Sequence, residues 1–329
     1  MIIVTGGAGL IGSAVIWQLN RQGRDDIVVV DHLRDGEKWR NLAPLRFRDY
    51  FEKETFFGLL EQKRFPLETG PLEAIIHLGA CSSTTERDAS YLIRNNFEWS
   101  KLLCRFALEH GARFVYASSA ATYGDGTLGF FDNDTALLPK LRPLNAYGYS
   151  KQIFDLWLLR QGLLNKVTGL KYFNVFGPNE HHKQDMRSVV LKAFGQIRET
   201  GGMTLFRSHH PDYADGEQLR DFVYVKDAAA ATVFFMEHPQ ATGIFNIGGG
   251  VARSWNDMAH ALFAALELPE RITYIDMPES LRPRYQYYTC AATEKLHAAD
   301  FTAPFTKLED AVADYVRNYL LPGKYLGDE

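Results

Sequence analysis

Cysteine is scarce: Cys81, Cys104 and Cys290 are odd in number and widely scattered. That excludes a disulfide framework, suits a reduced compartment and supplies no metal-ligand spacing. No apolar run approaches the ~20 residues of a membrane span. The first strand begins at Met1, leaving no room for a signal peptide, so a cytoplasmic location is expected. Positive charge is not in excess either, since 36 Lys and Arg face 40 Asp and Glu, a formal charge of −4. Without a basic footprint or a block of like charge, nucleic acid is excluded as a partner. Internal repeats, low-complexity tracts and free linkers are absent as well. Among ten histidines, the pairs His181-His182 and His209-His210 lack the company a zinc site needs. They read as solvated or substrate-facing loops, and no metal is expected.

What is present is an ordinary globular composition, 46% hydrophobic and 23% charged, in a chain long enough for one large domain and a smaller one. Its organising stretch is Thr5-Gly6-Gly7-Ala8-Gly9-Leu10-Ile11-Gly12. The β-branched run Met1 to Val4 precedes it, a strand buried on both faces of a parallel sheet. Gly6, Gly9 and Gly12 allow a tight turn, close approach to a pyrophosphate, and packing of the following helix, about Leu10 to Gln22. That helix points its free N–H groups and positive dipole end at the pyrophosphate. Ile27 to Val30 reads as a second buried strand, with Asp31 at its carboxyl end, placed to accept hydrogen bonds from a ribose. Strand, glycine turn, helix, strand and acid in this order indicate dinucleotide binding.

Further strands are expected near Phe47 to Tyr50, at Ala74 to Leu78, Arg113 to Ala117 and Val167 to Phe173, with helices over Lys53 to Arg64, Ala89 to His110 and Ala146 to Gln161. Strands alternating with helices predict an α/β fold, a doubly wound parallel sheet of Rossmann type. A smaller α/β substrate domain is interleaved with it. The dinucleotide-binding domain takes residues 1–175 and about 221–248, with strands at Asp221 to Val225 and Gly243 to Ile247. The substrate domain takes about 176–220 and 249–329.

Tyr147 and Lys151, at i and i+4, share one helix face. A phenol titrates near ~10, so its use as a base near neutrality requires about three units of depression, roughly 4 kcal/mol. A neighbouring ammonium and a positively charged nicotinamide supply that. Ser119, at another strand end, donates to the same substrate oxygen. This is hydride-transfer machinery.

The stretches TGGAGLIG, SSAATYG (Ser118 to Gly124), YGYSK, YFNVFGP (Tyr172 to Pro178) and RDFVYVKD (Arg220 to Asp227) resemble the extended branch of the short-chain dehydrogenase/reductase superfamily, the NAD-dependent epimerases and dehydratases. More narrowly, LGACSSTTE (Leu78 to Glu86), GPNEHHK (Gly177 to Lys183) and PRYQ (Pro283 to Gln286) are similar to the ADP-L-glycero-D-manno-heptose 6-epimerase family, nearly end to end. The resemblance implies that the C6 alcohol of an ADP-heptose is oxidised to a ketone with bound NADP, that the intermediate reorients, and that hydride returns to the other face. The product would supply heptose for lipopolysaccharide core. It also implies a homo-oligomer, with a pentamer among the forms expected.

Carried over by motif position, Lys183 becomes the second acid/base, Tyr147 the first, Lys151 its support and a holder of the nicotinamide ribose, and Ser119 the polarising hydroxyl. Spacing alone does not prefer Lys183 to His181 or His182. Cofactor contacts implied in the same way are Leu10, Ile11, Asp31, His32, Lys38, Lys53, Leu78, Gly79, Ala80, Cys81, Ser82, Asn95, Val175 and Lys183. Substrate contacts implied are Asn174, Asp185, Lys192, Phe206, Arg207, Ser208, His209, Arg220 and Tyr285. Arg220 suits a diphosphate because a guanidinium grips phosphate bidentately, the alternative being a pair with Asp221. Three departures stand out. Leu10 replaces a family Phe, Asp185 and Lys192 stand where a hydroxyl and an imidazole are expected, and the loop Ser208 to Leu219 is longer than in some members.

The cofactor evokes opposing arguments. A carboxylate at Asp31, about 5 Å from a 2′-phosphate, would repel each charge by roughly 3 kcal/mol at an effective dielectric of 20, which favours NAD. Arg34, Lys38 and Lys53 neutralise it, and the resemblance implies NADP. Three rival functions remain: a net NADP-dependent nucleotide-sugar reductase, a UDP- or GDP-sugar 4-epimerase, and a non-catalytic dinucleotide sensor.

Overall fold

Short apolar runs build the centre of the fold. β1 (Ile2–Thr5), β2 (Ile27–Asp31) and β4 (Ala74–His77) are buried along their whole lengths. The computed structural model describes residues 1–66, 70–279, 281–282 and 285–328; Pro283 and Arg284 of the PRYQ motif lie outside them. Seven parallel strands form one sheet, in the order β10 (Gly243–Ile247), β6 (Thr168–Tyr172), β5 (Arg113–Ser119), β4, β1, β2 and β3 (Asp49–Glu52). β3 falls two residues beyond the expected Phe47 to Tyr50. As a partly exposed edge strand it carries little apolar signal.

Alternate residues of each strand serve opposite faces. Ile2 and Val4 pack with Ile16, Leu19, Ala229 and Val233 on the side of α1 (Leu10–Arg21) and α7 (Val225–Glu237). Ile3 and Val28 pack with Phe56, Leu103 and Phe154, on the side of α2 (Lys53–Glu61), α4 (Trp99–Glu109) and α5 (Ala146–Arg160). The long helix expected over Ala89 to His110 is interrupted. α3 (Ala89–Ile93) passes through a π-helical turn, Arg94–Glu98, before α4 begins, and the turn buries Asn95 and Asn96.

The segment expected to rejoin the main sheet near Asp221 does not do so. It forms β9 (Leu219–Tyr224), which pairs with β7 (Asn174–Phe176) and β11 (Ala252–Ser254). The free edge of β6 is taken by β10, so β9 has no place there. Around this small sheet lie α6 (Val189–Thr200), the parallel pair β8 (Met203–Phe206) and β12 (Ile272–Ile275), and α8 (Trp255–Leu266), with α9 (Glu294–Ala298) against β10 and α10 (Leu308–Tyr315) against α8.

Candidate functional site

The carboxyl ends of β1, β2, β4, β5 and β6 open into one cleft of about 730 Å³. At its base the glycine turn is as close as chain geometry allows. Gly6 has φ +69°, and a Cβ there would lie 2.6 Å from the Gly79 nitrogen; a Cβ on Gly12 would lie 2.1 Å from the Gly6 carbonyl. Gly9 caps α1 without a side-chain hydrogen bond, leaving the first N–H groups of the helix for an anion. These residues fit a dinucleotide pyrophosphate.

At the carboxyl end of β2 Asp31 is buried, and its carboxylate accepts from the Ala8 nitrogen (2.8 Å) and the His32 nitrogen (2.6 Å) while ion-pairing with Lys38. Lys53 donates to Asn95 Oδ1 at 3.0 Å and stands 4.8 Å from the Trp99 ring. His32, Glu52 and Glu54 converge at the rim, with ligand atoms within 4.8 Å of one another, but Glu52 already accepts from the Tyr50 hydroxyl at 2.8 Å.

Across the cleft α5 presents Tyr147 and Lys151 on one face, as the i, i+4 spacing requires. Burial pulls the Lys151 ammonium down to about 8, against the attraction of Asp155, and its Nζ donates to the Ala117 carbonyl at 2.9 Å. Burial raises the Tyr147 phenol, and the Ser119 hydroxyl works the other way. Ser119 ends β5 and lines the same cleft.

Lys183 enters from the turn His181–Met186, and burial lowers its pKa against the pull of Glu180. That turn is firmly anchored. Glu180, fully buried, accepts from the Ser188 nitrogen and hydroxyl, both at 2.6 Å. Asn179, also fully buried, donates to Ser13 Oγ at 3.0 Å. The Asn41 amide donates to both the Ala8 and Asn179 carbonyls, at 2.8 Å each, and lies 3.2 Å from His182 Nδ1. His181 and His182 line the cleft partly buried, and burial pushes His182 down to about 3.

Tyr147, Lys151, Ser119, Lys183 and every residue expected at the cofactor, from Gly6 to Val175, line this one cleft. The remaining substrate set does not. Arg220 is buried beneath two rings, 5.0 Å from Tyr285 and 5.6 Å from Trp255, and Trp255 Nε1 donates to the Tyr285 hydroxyl at 2.9 Å. Asp221 is not its partner; that carboxylate accepts from the nitrogens of Gly249, Gly250 and Ala291. Asn174 is exposed beside Thr289, and the exposed Lys192 donates to the Asp185 carbonyl at 2.6 Å. Phe206, Arg207, Ser208 and His209 run from β8 into its following loop, where the Ser208 nitrogen donates to Asp215 (2.8 Å) and His209 Nε2 accepts from the Met277 nitrogen (3.3 Å). Sequence reasoning missed Asn41 and Trp255, whose positions carry no motif, and Trp99, which at helical spacing from the buried Leu92 and Leu103 reads as core; Asn41 closes a short 3₁₀ turn.

The chain is 54% identical over 320 residues to an ADP-L-glycero-D-manno-heptose-6-epimerase of Nitratidesulfovibrio vulgaris, covering 97% of this chain and 98% of that protein. A Fusobacterium nucleatum protein of the same name is 46% identical, with 97% and 98% covered. Among solved structures, the Helicobacter pylori ADP-L-glycero-D-manno-heptose-6-epimerase superposes with a TM-score of 0.79 at 29% identity, covering 96% of this chain and 95% of that one. At 23% identity, the fold is also shared with a Bacillus cereus UDP-glucuronic acid 4-epimerase solved in complex with UDP-glucuronic acid and NAD, TM-score 0.76, covering 96% and 99%. The profile of the NAD dependent epimerase/dehydratase family matches residues 2–248, glycine turn, Tyr147 and Lys151 included, and it is to this family that the chain belongs.

Proposed function

We propose that the chain is an ADP-L-glycero-D-manno-heptose 6-epimerase, inverting C6 of ADP-D-glycero-D-manno-heptose for lipopolysaccharide core synthesis. One observation carries the reading: two proton-transfer candidates, Tyr147 and Lys183, enter one dinucleotide-shaped cleft from different elements. An epimerase needs a group on each side of the carbon it inverts, because the proton leaves and returns with the alcohol on opposite faces.

Bound nicotinamide supplies a hydride acceptor that also returns the hydride. Tyr147 takes the proton of the C6 hydroxyl, Ser119 donates to the same oxygen, and Lys151 stabilises the phenolate. Once the keto sugar has turned, Lys183 gives its proton to the alkoxide oxygen that forms as the hydride returns, making the new hydroxyl, and Tyr147 and Lys183 then regain their starting protonation through solvent. Arg220 and Tyr285 hold the diphosphate, and residues 176–220 and 249–329 form the sugar-binding part. The Asn174, Asp185, Lys192 and 206–209 contacts complete the proposed substrate set.

NADP is the proposed dinucleotide. The Asp31 carboxylate is already neutralised by Lys38, and Arg34 and Lys53 line the same end of the cleft, which supports room for a 2′-phosphate. The reading carries with it a cytoplasmic homo-oligomer, which light scattering checks. The primary experiment is proton NMR of the D-glycero substrate with purified protein and no added cofactor. Appearance of the L-glycero epimer supports the reading; absence of conversion with dinucleotide present rejects it. Mass spectrometry of the nucleotide released on denaturation decides between NADP and NAD.

A further inference from the structure

Under the floor of the cleft two opposite charges are buried together. Asp155 is 0% and Lys171 1% exposed, and Lys171 Nζ lies 2.6 Å from Asp155 Oδ2. An ion pair taken out of water regains little over an apolar pair of the same shape, so mere core filling is a poor reason to keep one. Its other hydrogen bonds are satisfied. Tyr116 donates to Asp155 Oδ1 at 2.8 Å, Ser118 Oγ to Oδ2 at 2.8 Å, and Lys171 to Thr122 Oγ1 at 2.6 Å. The pair thus clamps α5, β5, β6 and the turn after β5.

Three of the proposed reacting groups, Ser119, Lys151 and Tyr147, hang on this clamp. Thr122 donates to the Ser119 carbonyl at 2.8 Å, and Ser118 precedes Ser119 on the chain. Lys151 stands one helical turn before Asp155, and Tyr147 one turn before Lys151. The groups that face Lys151 are Tyr147 and Asp155 from its own helix, His77 from β4 and Cys81 after β4, with Lys171 of β6 behind Asp155. His77 stays neutral near pH 7, since burial holds it at about 3. Asp155 is the carboxylate of this group.

We propose that the buried Asp155 and Lys171 pair is a positioning device: it fixes α5 against β5 and β6, and its carboxylate places a negative charge one helical turn from the Lys151 ammonium. The inference rests on the reading of Tyr147 as base and Lys151 as its support. Without Asp155, Lys151 loses its proton at lower pH, and the alkaline limb of the turnover profile moves with it.

The test measures kcat and KM against pH for two variants purified with dinucleotide bound. Asp155→Asn keeps the shape but strands the Lys171 charge; Asp155→Asn with Lys171→Met removes both charges. The expected result is an alkaline limb displaced downward by about one pH unit in the first, and by about half a unit or more in the second, with KM within about twofold. The double variant decides the question if the single one fails to fold. A folded, dinucleotide-bearing double variant whose limb coincides with the wild type overturns the proposal, leaving the pair a packing feature. Tyr147→Phe is run beside them. Retained turnover there overturns the base assignment and the proposal with it, whereas an inactive Tyr147→Phe beside an unshifted limb overturns the proposal alone.

Discussion

Tyr147 and Lys151 were legible in the sequence because four residues make one helical turn, so their spacing alone brings them to one face. Lys183 was reached only through the motif it shares with a family and not through spacing, because its position depends on a turn held by Glu180 and Asn179 and on the left-handed backbone of Asn179 and Gln184 (φ +76° and +48°), none of which has a period. The choice between Arg220 gripping a ligand and pairing with Asp221 also needed the structure, which spends Asp221 on three backbone nitrogens. At this scale Tyr147→Phe is expected to lower kcat about a thousandfold in the NMR assay while dinucleotide remains bound. Lys183→Met is expected to cost a hundredfold or more; full activity there would favour a 4-epimerase. His77 gives a pH prediction. Its folded pKa of about 3 lies below the ordinary 6.5, so its contribution is present above pH 6.5 and is lost as pH falls toward 3. The unfolded chain takes up a proton that the folded one refuses, a loss of about 5 kcal/mol in all. Urea midpoints should therefore fall between pH 7 and pH 4, and His77→Gln should flatten that slope, the remainder including His182.

Elements with strong local signals fell where expected. β1, β2 and β4 are runs of apolar residues, and α1 follows the glycine turn without a gap. Less legible were elements defined by partners. β9 looks like any buried strand, and its sheet was decided by β10 occupying the edge of β6. The π-helical turn between α3 and α4 was invisible for a similar reason: periodicity runs through it, yet the extra residue turns Asn96 to pair with both backbone groups of Cys81, at 2.8 and 2.9 Å. The contact of α1 with the glycine turn is an element-level property too. Gly12→Ala puts a methyl group where the Gly6 carbonyl stands, so the helix must shift. We expect this variant to fold and to purify without dinucleotide, which the nucleotide content after heat denaturation measures.

For the whole molecule, a closed catalytic cycle has a plain signature. If the hydride returns to the sugar on every turnover, added NADPH is not consumed during stoichiometric conversion; steady loss of absorbance at 340 nm would instead identify a reductase. The far end of the chain belongs to the same machine. Leu326 is fully buried and its nitrogen donates to Asn179 Oδ1 at 3.0 Å, so the tail closes over the turn that carries Lys183. Deleting residues 322–329 is expected to cut kcat at least tenfold with dinucleotide still bound. The substrate contacts proposed for the 207–219 loop are the least legible part. They are set by tertiary neighbours such as Asp215 and Met277 rather than by any local pattern.

Asn41 stitches the glycine turn to the Lys183 turn with a single amide, and it sits at the end of the segment that lines the cleft beside Asp31, where the adenosine is proposed to lie. Cofactor preference and proton delivery are therefore inherited as one block. An engineer who grafts a longer or shorter 32–41 segment to change the dinucleotide would unhook the acid/base turn at the same stroke, whereas side-chain exchanges at Arg34 or Lys38 leave that stitch in place.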